Sequence, residues 1–346
     1  MSFEFFCLLY KNFIFLYCIN TSPLMKKIIT YLTVILFVTA SCGQNSGKPA
    51  KQQAQLKKRA FPSVTLPAMI QEESEMLEHM VLHFWDGITK AETGYLCDSL
   101  HVAGVSRGDV EQNFANYTYL LDNVSITTAQ KGLARLASLI EANESADSTS
   151  NVFEQFENIV ELYLFDPNSP LRNEDYYTPF AAAMAKSAHL DPSVKDKYDY
   201  IAKMCALNAV GTRSADFRFC DIRGREHTLH GIKAEYTLLF FSNPGCETCL
   251  EIINVLRDDP YINSMVEARR LAVVNVYIDE DLQAWKEYMP VYPKEWHNGF
   301  DPYLIIRADQ IYNVRAIPSL YLLDKDKNVI LKDAVPEKLF AYISNL

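Results

Sequence analysis

The sequence predicts an all-α domain followed by an α/β domain, and the spacing of its apolar residues is the main reason. Over residues 66–207, apolar side chains recur at three- and four-residue steps, which is the period of an amphipathic helix. Beyond this range the pattern changes to alternation and short apolar runs between turn residues, as strands require. Two cysteines, Cys246 and Cys249, separate one such run from a helix-like segment. We therefore place the all-α domain at residues 63–208 and the α/β domain at residues 209–346.

Composition and charge narrow the class of protein. Of the 346 residues, 49% are hydrophobic and 22% are charged, which is a globular composition, and the length suits two domains better than one. The formal net charge of −10 leaves no broad basic surface that would neutralise a phosphate backbone. We therefore expect no nucleic acid among the partners, whereas proteins and small molecules fit.

The start of the chain, as far as Cys42, is predicted to be a leader whose translation begins at Met25. Two lysines, an apolar run over residues 28–38 and three small residues precede Cys42 in the order of an export signal. This order resembles the bacterial lipobox, in which the cysteine is acylated, although Thr39 replaces the usual leucine. The alternative is an ordinary signal peptide that is cut nearby. Residues 3–19 form a second apolar stretch, which we attribute to untranslated sequence rather than to an additional membrane span.

The lipobox resemblance implies lipidation of Cys42. The protein would then be a lipoprotein of the cell envelope that faces the periplasm, with the outer membrane favoured over the inner. Residues 43–62 are rich in Gln, Lys, Ala and Pro and contain no acidic residue, so they lack the side chains to bury a core. We predict a flexible linker there. Its positive charge would favour an anionic lipid surface, although a solvated linker explains the same composition.

Six helices are predicted in the all-α domain, separated by polar breakers such as residues 142–150 and 166–170. The clearest runs from Val152 to Tyr163, because its apolar side chains line one face. The other five cover residues 66–85, 109–121, 127–142, 176–189 and 194–207.

Two histidines on the first helix have the spacing of metal ligands. His79 and His83 lie four residues apart, with Glu75 and Glu78 beside them. A helix with one polar flank and one apolar flank explains the same residues. We therefore predict no metal site here.

The α/β domain is predicted to begin with a hairpin around Gly224, to continue with two buried strands, and to end with a second hairpin and a helix. The segments are residues 215–220 and 228–229, then 237–241 and 271–278, then 319–323 and 329–332, and finally 336–346. Residues 295–301 are predicted to be an inserted loop. Its Trp296 either contacts substrate or packs over the core.

The pair Cys246 and Cys249 is the strongest candidate for chemistry. It follows a buried strand and the tight turn Asn243-Pro244-Gly245 and precedes an apolar-periodic run, so Cys246 is expected at the N-terminus of a helix. Free N–H groups and the positive end of the helix dipole there favour a thiolate, which lowers the pKa of Cys246 below that of a free thiol. Cys246 is then the nucleophile. Cys249 is the resolving cysteine, which attacks the mixed disulfide formed with a substrate.

One alternative for this spacing is a zinc site, in which such a pair commonly provides half of the ligands. The sequence contains no second such pair, and Cys220 with His227 and His230 would complete a site only if the first hairpin folded over the helix. We therefore expect redox chemistry and no metal. Cys97, Cys205 and Cys220 are expected to be small core residues.

The chain from Gly211 to Leu346 resembles the exported, membrane-tethered branch of the thioredoxin superfamily, which includes reductases that serve cytochrome c maturation. The residues that carry this resemblance are Ala215-Asp216-Phe217, Leu239-Phe240-Phe241, the cysteine pair, Tyr312-Asn313-Val314 and residues 318–324. The upstream region, with its segment from Tyr163 to Pro170, resembles an uncharacterised helical domain that precedes such domains in bacterial lipoproteins. The resemblance implies a thioredoxin-like fold for the α/β domain. It also implies that the redox-active disulfide of Cys246 and Cys249 works without a cofactor.

The resemblance further implies roles for residues around the pair. Pro318 is expected to adopt the cis form and to face the two cysteines, which leaves the backbone of Ile317 free to pair with a substrate segment. A trans proline at the start of an edge strand also fits the sequence. Gly245 and Thr248 replace a tryptophan and a proline that are usual in the family, so we expect a less aromatic rim.

Phe240 stands where thioredoxin buries the acid that helps to deprotonate the resolving thiol. Glu247 and Glu251 are nearby acids that would substitute for it, although a solvated helix flank explains both equally well. Glu247 should also oppose thiolate formation at Cys246 through like charge. We therefore expect a moderately reducing couple.

These features predict a thiol–disulfide oxidoreductase of the bacterial cell envelope that reduces or isomerises protein disulfides. The expected partners are protein thiols and disulfides, a membrane or periplasmic electron donor, and the membrane itself through the lipid anchor. One alternative is a non-catalytic lipoprotein that binds a partner and uses the cysteine pair to sense redox state. A peroxidase built on the same fold is the third candidate.

Overall fold

The computed structural model describes residues 56–346. We refer to residues 56–208 as the helical region and to residues 209–346 as the C-terminal domain. The predicted leader with Cys42, and most of the predicted linker, lie outside the described residues. Between residues 56 and 346, no helix combines the length and the apolar character needed to cross a membrane.

Helices form most of the helical region, together with a small antiparallel ribbon. Each of the six predicted segments contains a helix, although the bounds differ. The helix that begins at Val152 ends earlier than predicted and continues as a π-helical turn, Glu161–Phe165. The helices are α1 Glu73–His83, α2 Asp86–Thr89, α3 Arg107–Leu121, α4 Ile126–Ala146, α5 Val152–Val160, α6 Glu174–Met184 and α7 Pro192–Cys205, and the ribbon strands are β1 His101–Val102 and β2 Val105–Ser106.

Side-chain caps and aromatic packing explain why these helices form and assemble. Ser106, Ser125 and Asn173 are N-caps whose side chains accept hydrogen bonds from the first turns of α3, α4 and α6. Trp85 and Phe156 are buried, and their ring centroids lie 5.0 Å apart in an edge-to-face arrangement. Both rings belong to one continuous cluster of buried apolar residues that extends through the helical region.

The prediction of a flexible linker is wrong for its last residues. Lys57 forms a parallel bridge with Tyr95, and the guanidinium of Arg59 lies 4.0 Å from the centroid of the Tyr95 ring. Phe61 packs against the core of the helical region. The composition of the segment suggested a solvated chain, but an arginine stacks on an aromatic ring and packs its stem at the same time, and composition does not reveal this.

A seven-stranded mixed sheet forms the centre of the C-terminal domain, with strand order β4-β3-β7-β6-β5-β8-β9. The neighbours β5, β6 and β7 are parallel, and the remaining pairings, which include both predicted hairpins, are antiparallel. The strands are β3 Arg218–Cys220, β4 Glu226–Thr228, β5 Tyr236–Phe241, β6 Leu271–Tyr277, β7 His297–Phe300, β8 Ser319–Leu323 and β9 Val329–Leu331. The helices are α8 Glu247–Asp258, α9 Pro260–Glu267, α10 Leu282–Tyr288, α11 Ile305–Ala308 and α12 Pro336–Ile343, with a 3₁₀ turn at Met289–Val291.

The prediction of an inserted loop at residues 295–301 is wrong, because β7 lies within this segment and pairs with β6. Trp296 lies directly before β7, and its side chain is buried in the core, so of the two expected roles the structure shows packing rather than contact with substrate. The strand escaped prediction because Asn298 and Gly299 break the apolar pattern. Close packing accounts for Gly299, since a Cβ there would lie 2.5 Å from a ring carbon of Phe219.

The segment that joins the two parts of the protein, residues 211–214, runs along the outer side of β9. The N–H of Gly211 donates to the carbonyl oxygen of Val329 at 2.8 Å, and the N–H of Ser214 donates to that of Lys327 at 2.9 Å. In return, the N–H of Val329 donates to the carbonyl oxygen of Thr212 at 2.8 Å. The connection therefore covers the start of β9 and the turn that precedes it.

Five charged side chains form a cluster between the helical region and the C-terminal domain. We name Arg172, Glu174, Arg315, Lys332 and Asp333 the interdomain charge cluster. The side chain of Glu174, the first residue of α6, is 2% exposed; its Oε1 accepts a hydrogen bond from Nε of Arg315 at 2.9 Å, and its Oε2 lies 3.0 Å from Nζ of Lys332. Nε of Arg172 lies 3.4 Å from Oδ2 of Asp333. Each buried carboxyl group thus has a cation beside it, without which its burial would be costly.

The packing around β7 predicts that Gly299→Ala destabilises the fold by about 1 to 3 kcal/mol. Besides the ring of Phe219, the added methyl would lie 2.8 Å from the carbonyl oxygen of Cys220. No side-chain rotation relieves a contact with the backbone. Gly108→Ala is the matched control. It lies in α3, where an added Cβ meets nothing within 4 Å, and alanine favours a helix over glycine by about 0.5 to 1 kcal/mol. Thermal midpoints measured by circular dichroism should fall for the first variant only, and equal midpoints would contradict the packing.

The charge cluster predicts a pH dependence of stability. Burial raises the pKa of Asp333 to about 6, against the opposing effect of Arg172. Because the folded carboxyl group holds its proton more tightly than the unfolded one, its contribution to stability is complete below a pH of about 4 and is lost as the pH rises through about 6.

We therefore expect Asp333→Asn to remove this part of the decline in stability between about pH 4 and pH 7. The measurement is the thermal midpoint of both proteins at each pH. Asp122→Asn is the control, because its exposed pair with Lys338 also joins the two parts of the protein. Parallel curves for the wild type and Asp333→Asn would show that the carboxyl group titrates alike in the folded and unfolded states.

Candidate active site

Strand β5 and helix α8 position the two cysteines that the sequence analysis singled out. β5 pairs with β6 on one side and with β8 on the other. Its side chains alternate, so Leu238 and Phe240 pack with α8, and Leu239 and Phe241 pack on the opposite face of the sheet. The chain leaves the sheet after Phe241 and enters α8 at Glu247. The pair therefore lies at the carboxyl end of a central strand, where open α/β sheets place their ligand sites.

Gly245 makes the turn into α8. Its φ of +74° lies in the left-handed region, which a residue with a Cβ enters only with strain. Space is not the reason for glycine, because an added Cβ would meet nothing within 4 Å. The backbone conformation therefore explains why glycine stands where the family usually has tryptophan.

Cys246 is the N-cap residue of α8, and its Sγ accepts a hydrogen bond from the N–H of Cys249 at 3.1 Å. The two residues are joined by a disulfide, with their Cα atoms 5.2 Å apart. Cys246 is half-buried, whereas Cys249 has no exposed surface. A reagent that approaches from solvent therefore meets Cys246 first.

Two of the proposed accessory residues on α8, Glu247 and Glu251, lie on the other side of the helix from Cys249. Glu247, Thr248 and Glu251 are exposed. Glu247 and Glu251 are four residues apart and share a face, and each is two residues from Cys249, which corresponds to a rotation of about 200°. The geometry therefore favours a solvated flank for both carboxylates over a role as proton acceptor for the buried thiol.

The segment from Arg315 to Ser319, which we name the cis-proline turn, lies at the same edge of the sheet. The peptide bond between Ile317 and Pro318 is cis. Ser319 pairs with Phe241, the last residue of β5, so the turn and the loop to the cysteines leave adjacent strands side by side. Ile317 and Cys246 both pack against the core cluster that contains Cys249.

Sequence reasoning missed a buried polar group at the end of β5. Ser242 and Asn275 have no exposed surface, and the Ser242 hydroxyl donates to Oδ1 of Asn275 at 2.5 Å. The hydroxyl of Tyr292 lies 3.4 Å from the Ser242 oxygen, and burial raises the pKa of this tyrosine. Both residues stand out in the sequence, because Asn275 interrupts the apolar run of β6 and Ser242 directly follows the apolar run of β5.

A second missed group braces the turn before the cysteines. The side-chain amide of Asn243 donates to Asp279, which follows β6, and Asp279 pairs with Arg307 of α11. These contacts connect the loop that carries Cys246 to the ends of two other elements. These contacts do not involve the cysteines, so they fix the loop independently of the disulfide.

The remaining cysteines and histidines have other environments. Burial raises the pKa of Cys205 and of Cys220, so these thiols stay protonated at neutral pH. The rings of His79 and His83 stack at 4.3 Å, and Nδ1 of His83 contacts Asp86 at 2.7 Å. Across residues 56–346, no three or more His, Cys, Asp or Glu side chains are grouped to hold a metal ion.

Both parts of the chain match known protein families. A family model described as thioredoxin-like matches residues 234–329, and one described as a domain of unknown function, DUF5106, matches residues 39–208. Thiol–disulfide oxidoreductase ResA from Geobacillus kaustophilus is 26% identical over 127 residues, which is 35% of this chain and 67% of that protein. The ResA protein of Geobacillus thermodenitrificans is 28% identical over an equal length.

A solved structure is similar over most of the chain. It is that of a thioredoxin-like protein from Bacteroides caccae, with 32% identity and a TM-score of 0.71, and the match covers 82% of this chain and 98% of that one. These comparisons confirm the predicted fold class, a helical region followed by a thioredoxin-like α/β domain. The chain belongs to the thioredoxin-like proteins.

Proposed function

We propose that this protein is a thiol–disulfide oxidoreductase of the bacterial cell envelope that reduces or isomerises protein disulfides through Cys246 and Cys249. The observation that carries the proposal is a disulfide between a half-buried helix N-cap and a buried cysteine one turn further on. Thiols in such positions are the reactive ones in proteins. The curated relatives that carry the name thiol–disulfide oxidoreductase support the reaction class.

The first step uses the reduced pair. The N–H of Cys249 and the positive end of α8 stabilise the thiolate of Cys246. This thiolate attacks one sulfur of a client disulfide, so a bond forms between Cys246 and that sulfur while the client disulfide breaks. The second client sulfur leaves as a thiolate and takes up a proton from water.

The second step releases the client. Cys249 loses its proton and attacks Sγ of Cys246, the mixed disulfide breaks, and the remaining client sulfur leaves as a thiolate. The client has then gained two electrons, and the pair has lost two and reached the disulfide state that the structure shows. A dithiol electron donor must reduce the pair before the next cycle.

The residues around the pair have supporting roles in this proposal. The backbone of Ile317, beside Pro318, would pair with an extended segment of the client. The tethered location rests on the sequence that precedes Cys42, which we propose as the lipidated residue of a periplasm-facing lipoprotein. The electron donor would then lie in the membrane or the periplasm.

The proposal predicts that Cys246→Ser abolishes insulin reduction by a dithiol donor down to the uncatalysed rate, because none of the other cysteines within residues 56–346 caps a helix beside a second cysteine. Cys97→Ser, at a half-buried cysteine outside the pair, is the control and should retain wild-type turnover. Wild-type turnover no faster than that of Cys246→Ser would favour a non-catalytic binding or redox-sensing protein.

The order of the two steps predicts that Cys249→Ser accumulates a mixed disulfide with the client, since nothing then attacks Sγ of Cys246. Non-reducing gel electrophoresis and mass spectrometry of the adduct would identify the cysteine that is bonded to the client. An adduct at Cys249 in the reciprocal variant, with none at Cys246, would reverse the two roles.

A further inference from the structure

The cis-proline turn is held at its two ends and free at its tip. Ala316 is exposed and Ile317 is half-buried, and neither backbone has a hydrogen-bond partner among residues 56–346. The flanking residues, Arg315 and Ser319, each make polar contacts with buried carboxyl groups. The position of the tip is therefore set by its flanks.

Arg315 ties the first flank to the helical region. Its Nε donates to Oε1 of Glu174 at 2.9 Å, and its Nη1 donates to the backbone oxygen of Phe165. The guanidinium also lies 4.1 Å from the centroid of the Phe165 ring. Because the Arg315 side chain is only 14% exposed, water screens these contacts little.

Ser319 connects the second flank of the turn to Asp333 of the interdomain charge cluster. Its hydroxyl donates to Oδ1 of Asp333 at 2.7 Å, and Oδ2 of Asp333 lies 3.4 Å from Nε of Arg172. Arg172 belongs to the helical region, as Glu174 does. The helical region thus reaches both flanks of the turn, once directly and once through Asp333.

We propose that Arg315 is a positioning residue through which the helical region holds the cis-proline turn in the shape that receives the client. The inference rests on the proposed function, because it concerns how that site binds its substrate. A planar guanidinium donates along fixed directions and stacks on a ring at the same time, whereas an ammonium does not. Loss of Arg315 should therefore weaken client binding and leave the reactivity of the cysteines unchanged.

The test compares Arg315→Lys with Lys332→Met. Both variants disturb the surroundings of the Glu174 carboxylate, but only Arg315 lies in the turn. We expect Arg315→Lys to raise KM for insulin about tenfold, equivalent to about 1.4 kcal/mol of binding free energy, with kcat retained. The rate at which reduced Cys246 reacts with the small disulfide 5,5′-dithiobis(2-nitrobenzoate) should stay within about twofold of wild type in both variants. Circular dichroism confirms the fold of each protein first.

Three results would overturn the inference. One is an unchanged KM in Arg315→Lys, and another is an equal rise in Lys332→Met, which would indicate a general loss of stability. The third is a parallel fall in the reaction with the small disulfide, which would place the effect at the cysteines. If Arg315→Lys does not fold, Phe165→Leu removes the stacked ring and leaves Glu174 in place; a rise in KM supports the inference, and no change contradicts it.

NMR relaxation tests the positioning without catalysis. The backbone order parameters of Ala316 and Ile317 should fall from about 0.85 in the wild type to below about 0.6 in Arg315→Lys, since the turn loses its anchor, while those of β5 should be unaffected. If wild-type protein shows no insulin turnover but this difference appears, the proposed function fails and the positioning role stands. Equal order parameters in the two proteins remove the positioning role, whatever the turnover.

Discussion

The buried carboxylate of Glu174 constrains how the two parts of this protein are assembled. A charge with 2% of its side chain exposed is tolerated only when cations lie close to it, and Arg315 and Lys332 provide them from the C-terminal domain. Separation of the two parts would leave each partner with an unmatched charge or require its hydration. The buried negative charge of the helical region is therefore matched by positive charges of the C-terminal domain. One of these, Arg315, belongs to the turn beside the cysteine pair.

The site itself depends on helix geometry more than on acidic side chains. Cys246 caps α8 and receives the N–H of Cys249, whereas the carboxylates of Glu247 and Glu251 point into solvent. Where thioredoxin has a buried acid, this chain has Phe240, and the neutral pair of Ser242 and Asn275 lies close by in sequence and in the sheet. A neutral polar group of this kind leaves the charge state of the core unchanged when the disulfide opens.

Sequence reasoning succeeded where the signal is local. The apolar run of β5, the turn at Gly245 and the periodic run of α8 are contiguous, so they place the cysteines on a strand, turn and helix without further information. It failed at β7, whose glycine is explained by its contacts with Phe219 and Cys220 on another strand. It also missed the pair of Glu174 and Arg315, because the two residues are 141 positions apart and an ion pair between distant segments leaves no periodic pattern. The cis-proline turn was located by resemblance, and its anchors were not.

The connection over residues 211–214 has a consequence for how the protein behaves in concentrated solution. An outer strand with open N–H and C=O groups is a template for another chain, and here the connecting peptide occupies those of Val329, the first residue of β9. A fragment that begins at residue 234, where the thioredoxin-like family match starts, would lack this cover. Such a fragment would keep both cysteines and yet leave the N–H and C=O groups of Val329 open to a neighbouring chain.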